Sequence, residues 1–164
     1  MITTMAKRIL MLMIGACMFV APISMNIEFK QQCSGYLKQA ADANTVELAL
    51  DRLNLAVKYI EEKGYTDGYT SIVYKTEDEN IGYWYQNIKA CQKELNDALD
   101  GTQLEKSNVL MKIRESLTDE REKGTELTIP SGLAKYPHNA LLAILEIIGA
   151  LLVFFGFCSI KEEL

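Results

Sequence analysis

Two long apolar runs, one near each end of the chain, constrain its fold more than any other feature. Residues 9–27 carry no charged side chain, and residues 139–160 carry one, Glu146. As α-helices with a rise of 1.5 Å per residue, runs of about 20 residues span roughly 30 Å, the thickness of the hydrocarbon core of a bilayer. The sequence therefore predicts two membrane-spanning helices separated by a polar central segment.

The N-terminal run has three possible fates. Lys7 and Arg8 precede it, an arrangement shared by membrane anchors and cleaved signal peptides. Residues 14–17 also resemble a bacterial lipobox, which would place a lipid on Cys17. We favour a retained anchor, because no good small-residue cleavage site follows the run and because residues 18–21 continue it beyond Cys17.

The basic residues before the first run also predict an orientation. With Lys7 and Arg8 in the cytoplasm, the first helix leads outward and the second returns, so both termini are cytoplasmic. The central segment is then extracytoplasmic. The predicted parts are an N-terminal membrane anchor at 1–27, a helical extracytoplasmic domain at 28–125, a juxtamembrane linker at 126–138 and a C-terminal transmembrane helix at 139–164.

Glu146 lies about two turns inside the second run. An ionised carboxylate in lipid costs several kcal/mol unless it is paired, protonated or close to the interface. Glu146 therefore either contributes to an ion or proton pathway, or lies on the outer third of the helix against the first span or an oligomer seam. We favour the second interpretation. Gly149 and Gly156 are seven residues apart on one face, which favours close helix packing.

The central segment carries the start and stop signals of helices. Three pairs combine a capping residue with a glutamate three positions later: Asn44 with Glu47, Thr76 with Glu79, and Thr102 with Glu105. A glycine follows each resulting segment, where a left-handed residue often ends a helix: Gly64, Gly101 and Gly124. The predicted helices lie near 45–63, 77–100 and 103–123, after an amphipathic stretch at 28–41.

Apolar residues in these segments recur at intervals of three and four, so each segment has one apolar face. Four such faces can close a small helical bundle. The predicted fold class is therefore all-α, with two transmembrane helices flanking a bundle of three to four helices.

Cys33 and Cys91 both fall on these apolar faces. In an oxidising compartment they could form a disulfide, which would stabilise the fold by about 4 kcal/mol in the chain-entropy model. The alternative is two buried free thiols, which behave as small hydrophobic side chains. The sequence leaves both alternatives open.

Aromatic residues concentrate between the first two of these helices and at the start of the second. Tyrosines in a glycine-containing loop offer rigid, amphipathic contact area. The candidate partner surface consists of Tyr65, Tyr69, Tyr74, Tyr83 and Tyr85. The alternative is that these rings close one end of the bundle.

Signals of catalysis, cofactor binding and nucleic-acid binding are absent from the sequence. The net charge is −5 with no basic block, which argues against nucleic acid. His138 is the only histidine, no Cys-x-x-Cys occurs, and no glycine-rich phosphate loop is present. We therefore predict no catalytic residue, metal, cofactor or small-molecule substrate.

The predicted function is a non-enzymatic interaction or scaffold protein of the cell envelope. Its expected partners are the lipid bilayer and either another protein or further copies of the chain. The alternative function is an oligomer that forms an ion or proton pathway through Glu146.

Residues 44–85, with Trp84-Tyr85 at their end, resemble an uncharacterised family of small bacterial membrane-anchored proteins. The segment Ser-Asn-Val-Leu-Met-Lys-Ile-Arg-Glu at 107–115 resembles the same family. The resemblance covers about half of the chain. It implies a bacterial or phage-related envelope setting and a helical extracytoplasmic domain, but no activity and no functional residue.

Overall fold

The computed structural model describes residues 2–73, 75–121 and 124–161, and it is mainly helical. The helices are α1 (Ile2–Cys17), α2 (Val20–Phe29), α3 (Gly35–Ala41), α4 (Val46–Glu62), α5 (Ile81–Asp97), α6 (Gln103–Leu117) and α7 (Asn139–Lys161). The strands are β1 (Thr118–Arg121) and β2 (Gly124–Leu127). The shorter turns are a π-helical turn at Lys30–Ser34 and 3-10 turns at Glu77–Glu79 and Leu133–Lys135.

Among the residues that the structure describes, two helical segments are long and apolar enough to cross a membrane, as the sequence predicts. One runs from Met5 to Ala41 through α1, α2, the π-helical turn and α3, and the other is Asn139–Cys158. Only 11% and 17% of their most apolar windows are buried. Most of the apolar side chains in both windows therefore face outward, where a lipid environment would remove them from water.

Helices α1 and α7 pack antiparallel, with two glycines facing each other at the crossing. A Cβ atom added to Gly15 would lie 2.9 Å from the carbonyl oxygen of Gly149, and one added to Gly149 would lie 3.1 Å from the carbonyl oxygen of Gly15. Leu12 occupies the space beside Gly156. The close packing predicted for Gly149 and Gly156 is thus present, and α1 is the helix that they contact.

Helices α3 to α6 surround the apolar core of the central domain. Helix α4 contacts α3, α5 and α6, and α3 also contacts α6. The largest side chains that are almost fully buried include Leu37, Leu53, Ile60, Ile88, Leu95 and Ile113. Burial of each such side chain contributes about 1.5 to 3 kcal/mol, which opposes the entropy lost when the helices become ordered.

The predicted helix starts are confirmed at α6 and shifted at the other two helices. Thr102 and Glu105 form a complete capping box at α6. At α4 the capping side chain is Thr45, which accepts a hydrogen bond from the backbone of Leu48. The predicted cap Asn44 is therefore wrong by one residue, because the next side chain is also a good cap.

The second predicted helix begins at Ile81, four residues after the predicted start at residue 77. Asn80 caps α5 by accepting from the backbone N–H of Tyr83 at 3.0 Å. Thr76 instead precedes the 3-10 turn that Glu79 ends, and the Thr76 hydroxyl donates to the Glu79 carboxylate at 3.0 Å. The predicted cap Thr76 is therefore wrong, because Asn80 is also a good capping residue and lies directly before the apolar face of α5.

The prediction of a helix up to residue 123 is wrong beyond Leu117. Strands β1 (Thr118–Arg121) and β2 (Gly124–Leu127) pair antiparallel, with Thr118 opposite Leu127, and we call this pair the hairpin. Residues 122 and 123 lie outside the described residues. The apolar pattern of α6 stops at Leu117, and the next residues are polar or charged, so a longer helix would have had nothing further to bury. Gly124 has a φ of +118° and is the first residue of β2, so it does not end a helix.

Of the other two predicted helix-ending glycines, only Gly64 takes the left-handed conformation, with a φ of +71°. Gly101 is not among the glycines with positive φ, so its predicted role is wrong. Helix α5 already ends at Asp97, and a turn that closes with Gly101 N–H donating to the Ala98 carbonyl leads into α6.

Candidate functional site

Tyr65, predicted to be on the partner surface, is buried, with 4% of its surface exposed. Its backbone N–H donates to the Ile60 carbonyl and that of Gly64 donates to the Glu61 carbonyl, the two hydrogen bonds of a Schellman motif. This turn directs the tyrosine ring back onto the end of α4. Its ring contacts Phe29, Tyr59 and Tyr136 with centroid distances of 6.1 to 6.3 Å. Tyr65 therefore belongs to the core and is unavailable to a partner.

Tyr85 links two helices. Its hydroxyl donates to the Glu61 carboxylate at 2.7 Å, and Lys89 lies 3.4 Å from the same oxygen. The hydrogen bond from Tyr85 is the largest cause that holds the pKa of Glu61 below its usual range, and it raises the pKa of Tyr85. Tyr85 is half-buried, and this contact gives it a role in joining α5 to α4.

The remaining tyrosines of the predicted surface include two that are exposed. The exposed fraction is 37% for Tyr69 and 60% for Tyr83, while Tyr74 lies outside the described residues. Tyr83 and Trp84 line a groove of about 600 Å³ between the start of α5 and the chain that leaves β2. We call this space the α5 groove.

Hydrogen bonds fix both walls of the α5 groove. On one side Asn80 caps α5 and forms a backbone bridge with Tyr69. On the other side Thr128 donates from its backbone to the Leu117 carbonyl at 3.0 Å, and from its hydroxyl to the Ser116 carbonyl at 3.1 Å. The second wall depends on the hairpin. A sequence prediction that continues the α6 helix to residue 123 therefore contains no such wall.

The α5 groove combines aromatic, amide and acidic groups. Glu77 and Asp78 are exposed at its edge, the side chains of Asn80 and Asn87 contribute amides, and Trp84 is almost completely buried in its wall. Among the described residues that line it, none is lysine, arginine or histidine. This composition fits recognition of a protein segment that brings donors or positive charge.

Residues 2–73, 75–121 and 124–161 contain no group of three or more His, Cys, Asp or Glu side chains placed to hold a metal ion. His138 is exposed, and its backbone N–H donates to the Lys135 carbonyl at 2.9 Å.

A polar junction connects the central domain to the start of α7. The Asn139 side-chain amide donates to the Thr70 carbonyl at 2.8 Å and to the Gly132 carbonyl at 3.1 Å. Lys135, four residues before Asn139, lies 2.8 Å from the carboxylate of Glu146, which is seven residues after Asn139. Glu146 thus has a cationic partner from the juxtamembrane linker.

Cys33 and Cys91 are both buried free thiols, the second of the two alternatives that the sequence leaves open. Burial raises the pKa of the Cys33 thiol to about 12 and also raises that of Cys91. Their surroundings differ, since Tyr59 and Tyr65 lie near Cys33 whereas Ser116 lies near Cys91.

No protein-family model matches this chain, no curated protein matches it in sequence, and no solved structure matches it. The resemblance to a family of small bacterial membrane-anchored proteins therefore stays a prediction.

Proposed function

We propose that this chain is a non-enzymatic, membrane-anchored interaction protein of the cell envelope that binds a protein partner at the α5 groove. The observation that carries the proposal is Tyr83, a residue that is 60% exposed and lines a groove beside the packed core of the domain. Exposed tyrosines beside a pocket are typical of the anchoring residues of protein interfaces.

Membrane anchoring is supported by the outward apolar faces of α1 and α7. Their large exposed side chains include Ile9, Leu10, Met13, Ile147, Phe154 and Phe157. A surface of this kind is stable in lipid and aggregates in water. The antiparallel packing of α1 on α7 fits a two-helix hairpin in the bilayer.

The orientation follows from charge. In the antiparallel pair the start of α1 lies beside the end of α7, so Lys7, Arg8 and Lys161 share one end of the hairpin. Positive residues next to spans favour the cytoplasmic side. Both termini are then cytoplasmic, and the central domain is extracytoplasmic.

The central domain acts as a small bundle of four helices, α3 to α6, held at a fixed height above the membrane. The helical segment that begins in α1 continues into α3, while the contacts of Asn139 and Lys135 join the domain to α7. Two connections restrict the tilt of the domain more than one would, so the α5 groove keeps a defined position relative to the bilayer.

The partner segment is expected to carry positive charge or amide donors. Glu77 and Asp78 extend into solvent at the groove edge, and Tyr83 offers a ring face that can stack on an arginine. A groove of about 600 Å³ accommodates a few residues of an extended peptide.

The alternative of an ion or proton pathway through Glu146 has less support. The contact with Lys135 at 2.8 Å provides the charge partner that an intramembrane carboxylate otherwise lacks. A structural role for Glu146, which fixes the linker against α7, is the simpler interpretation.

Site-specific photocrosslinking in native membranes tests the proposal. A photoreactive phenylalanine analogue replaces Tyr83, and a matched control carries the same group at Met111, which is also 60% exposed but does not line the groove. We expect a discrete crosslinked protein from position 83 and none from position 111.

A substitution within the groove then tests the chemistry of recognition. The Asp78→Lys variant, combined with the photoreactive group at position 83, should reduce the crosslinked product at least fivefold, because it opposes a cationic partner. Recovery of monomer alone from position 83, or equal products from both positions, would contradict the proposal.

A further inference from the structure

The loop between α4 and α5 exposes two adjacent branched apolar side chains. The exposed fraction is 66% for Ile72 and 79% for Val73, the larger value being the highest among the large apolar side chains described as exposed. We call this pair the loop tip. Burial of such side chains away from water is favourable, so an uncovered pair requires an explanation.

The loop tip lies close to the point where the chain enters the membrane helix. The carbonyl of Thr70, two residues before Ile72, accepts a hydrogen bond from Asn139, the first residue of α7. Two residues of extended chain reach at most about 7 Å. Tyr136 lies against Gly68 in the same loop, where an added Cβ atom would be 2.6 Å from the tyrosine hydroxyl oxygen.

The other end of the domain lies much further from this junction. Lys63, just after α4, pairs with Glu28 of α2 at 2.7 Å, so the end of α4 is the membrane-proximal end. Lys106 pairs with Glu47 at the start of α4 at 2.9 Å. Since α4 has 17 residues, the two ends are roughly 25 Å apart.

We infer that the loop tip, Ile72 and Val73, inserts into the interfacial region of the same bilayer that holds α1 and α7, as a third membrane contact. The inference rests on the proposed membrane anchoring. It explains why apolar side chains are uncovered at the membrane-proximal end of the domain and on the loop that is hydrogen-bonded to α7.

The residues around the loop tip favour lipid over a protein partner. Tyr69 and Lys75 flank it, with the Lys75 ammonium 5.7 Å from the centroid of the Tyr69 ring. Aromatic rings and lysines are enriched at the membrane interface, where a lysine also meets lipid phosphate groups. The nearest acidic residues in sequence after the loop tip, Glu77 and Asp78, line the α5 groove instead.

Photoactivatable phospholipids test the inference on the full chain. The purified protein is reconstituted in phosphatidylcholine and phosphatidylglycerol vesicles that contain a diazirine phospholipid, illuminated, and digested with trypsin. Cleavage after lysine yields peptides 64–75, with the loop tip, 94–106, with distal Leu104, and 136–161, with α7. Leu104 is 71% exposed and so provides a matched apolar control at the far end.

We expect lipid adducts on peptides 64–75 and 136–161, and at least tenfold fewer on peptide 94–106. The double variant Ile72→Ser/Val73→Ser should lower adducts on peptide 64–75 at least fivefold and leave those on 136–161 unchanged. The control Leu104→Ser should leave the adducts on peptides 64–75 and 136–161 unchanged.

The experiment distinguishes failure of the loop-tip contact from failure of the membrane anchoring. If peptide 136–161 carries adducts but peptide 64–75 carries no more than peptide 94–106, the membrane contact is refuted while the anchoring stands, and the loop tip is free for a protein or a second copy. If peptide 136–161 carries none, both the anchoring and the inference that rests on it fail.

Discussion

Gly15 and Gly149 illustrate how much one missing side chain determines in this molecule. A Cβ atom at Gly15 would lie 2.9 Å from the carbonyl oxygen of Gly149, and one at Gly149 would lie 3.1 Å from that of Gly15, so a side chain at either position would force the opposing backbone to shift. At Gly156 the opposing group is the end of the Leu12 side chain, which can move. The glycine pair is therefore the point that fixes the distance between α1 and α7.

Replacement of Gly149 by leucine should separate α1 from α7 and lower the free energy of unfolding in detergent by about 1 to 3 kcal/mol, the usual cost of overpacking. The matched control is Ala150→Leu, at an exposed position on the same helix. Thermal unfolding of both variants provides the measurement. Equal stability of the two would refute the glycine contact.

Tyr85→Phe should raise the pKa of Glu61 toward its ordinary value of 4.5, because the hydroxyl that stabilises the carboxylate is removed. Carboxyl carbon chemical shifts during an NMR titration measure this pKa. Tyr83→Phe, an exposed tyrosine on the same helix, serves as the control and should leave the Glu61 titration unchanged. An unchanged pKa in Tyr85→Phe would contradict the contact.

The same contact makes stability depend on pH in one direction. A pKa that is lower in the folded than in the unfolded protein adds stability that is present above the unfolded pKa and is lost as the pH falls through the folded value. The contribution of Glu61 is therefore lost on acidification below about pH 4.5 in wild type. The loss of stability on acidification should therefore be smaller in the Tyr85→Phe variant.

Cysteine reactivity separates free thiols from a disulfide. Cys33 and Cys91 are buried, and the raised pKa of each thiol disfavours the reactive thiolate, so neither should react with iodoacetamide at pH 8 in the folded protein. After denaturation without reductant both should react fully, as measured by peptide mass spectrometry. Reaction only after a reductant is added would instead establish a disulfide.

At the scale of elements, the sequence is informative wherever a local signal decides the outcome. The capping box at Thr102, the left-handed Gly64 and the apolar faces of α4 and α5 all follow from contacts within a few residues. The sequence predicts a helix in place of the hairpin after Leu117. A glycine that ends a helix and a glycine in a hairpin cannot be distinguished by their local sequence. Only the packing of Thr128 on the end of α6 distinguishes them.

The burial of Tyr65 was also beyond local reasoning. A tyrosine after a glycine in a polar loop is typical of an exposed contact residue. The Schellman turn at Gly64 directs this ring toward Phe29 and Tyr136, which lie far away in sequence. Sequence spacing within one segment holds no information about such distant neighbours.

Asn139 joins the loop before α5 to the start of α7, and its loss should loosen both. Asn139→Asp keeps the shape of the side chain but replaces the donating amide by a carboxylate that faces the Thr70 and Gly132 carbonyls. Amide hydrogen exchange in segments 68–73 and 130–134 should accelerate at least tenfold. Asn87→Asp, an exposed asparagine on α5, is the control, and similar exchange in both variants would contradict the junction.

At the scale of the whole molecule, the two apolar ends and the helical character of the centre could be predicted, but the arrangement of the site could not. The α5 groove depends on the hairpin, on Thr128 and on the turn before α5, which are separated by some 50 residues of sequence. The pairing of Lys135 with Glu146 likewise depends on the 3-10 turn at Leu133–Lys135, which packs against α2. Nothing in the local sequence indicates this packing.

The central claim is that both apolar helices remain in the bilayer as a hairpin, with the central domain on one side and both ends on the other. It is tested most directly by labelling introduced cysteines with a membrane-impermeant maleimide in sealed right-side-out vesicles. Thr4→Cys, Ser107→Cys and Glu163→Cys are introduced one at a time into a protein in which the exposed Cys17 and Cys158 are replaced by serine and the buried Cys33 and Cys91 are retained. The account predicts labelling at position 107 in sealed vesicles, and at positions 4 and 163 only after the vesicles are opened. Labelling at position 4 or 163 in sealed vesicles, or protection of position 107, would contradict it.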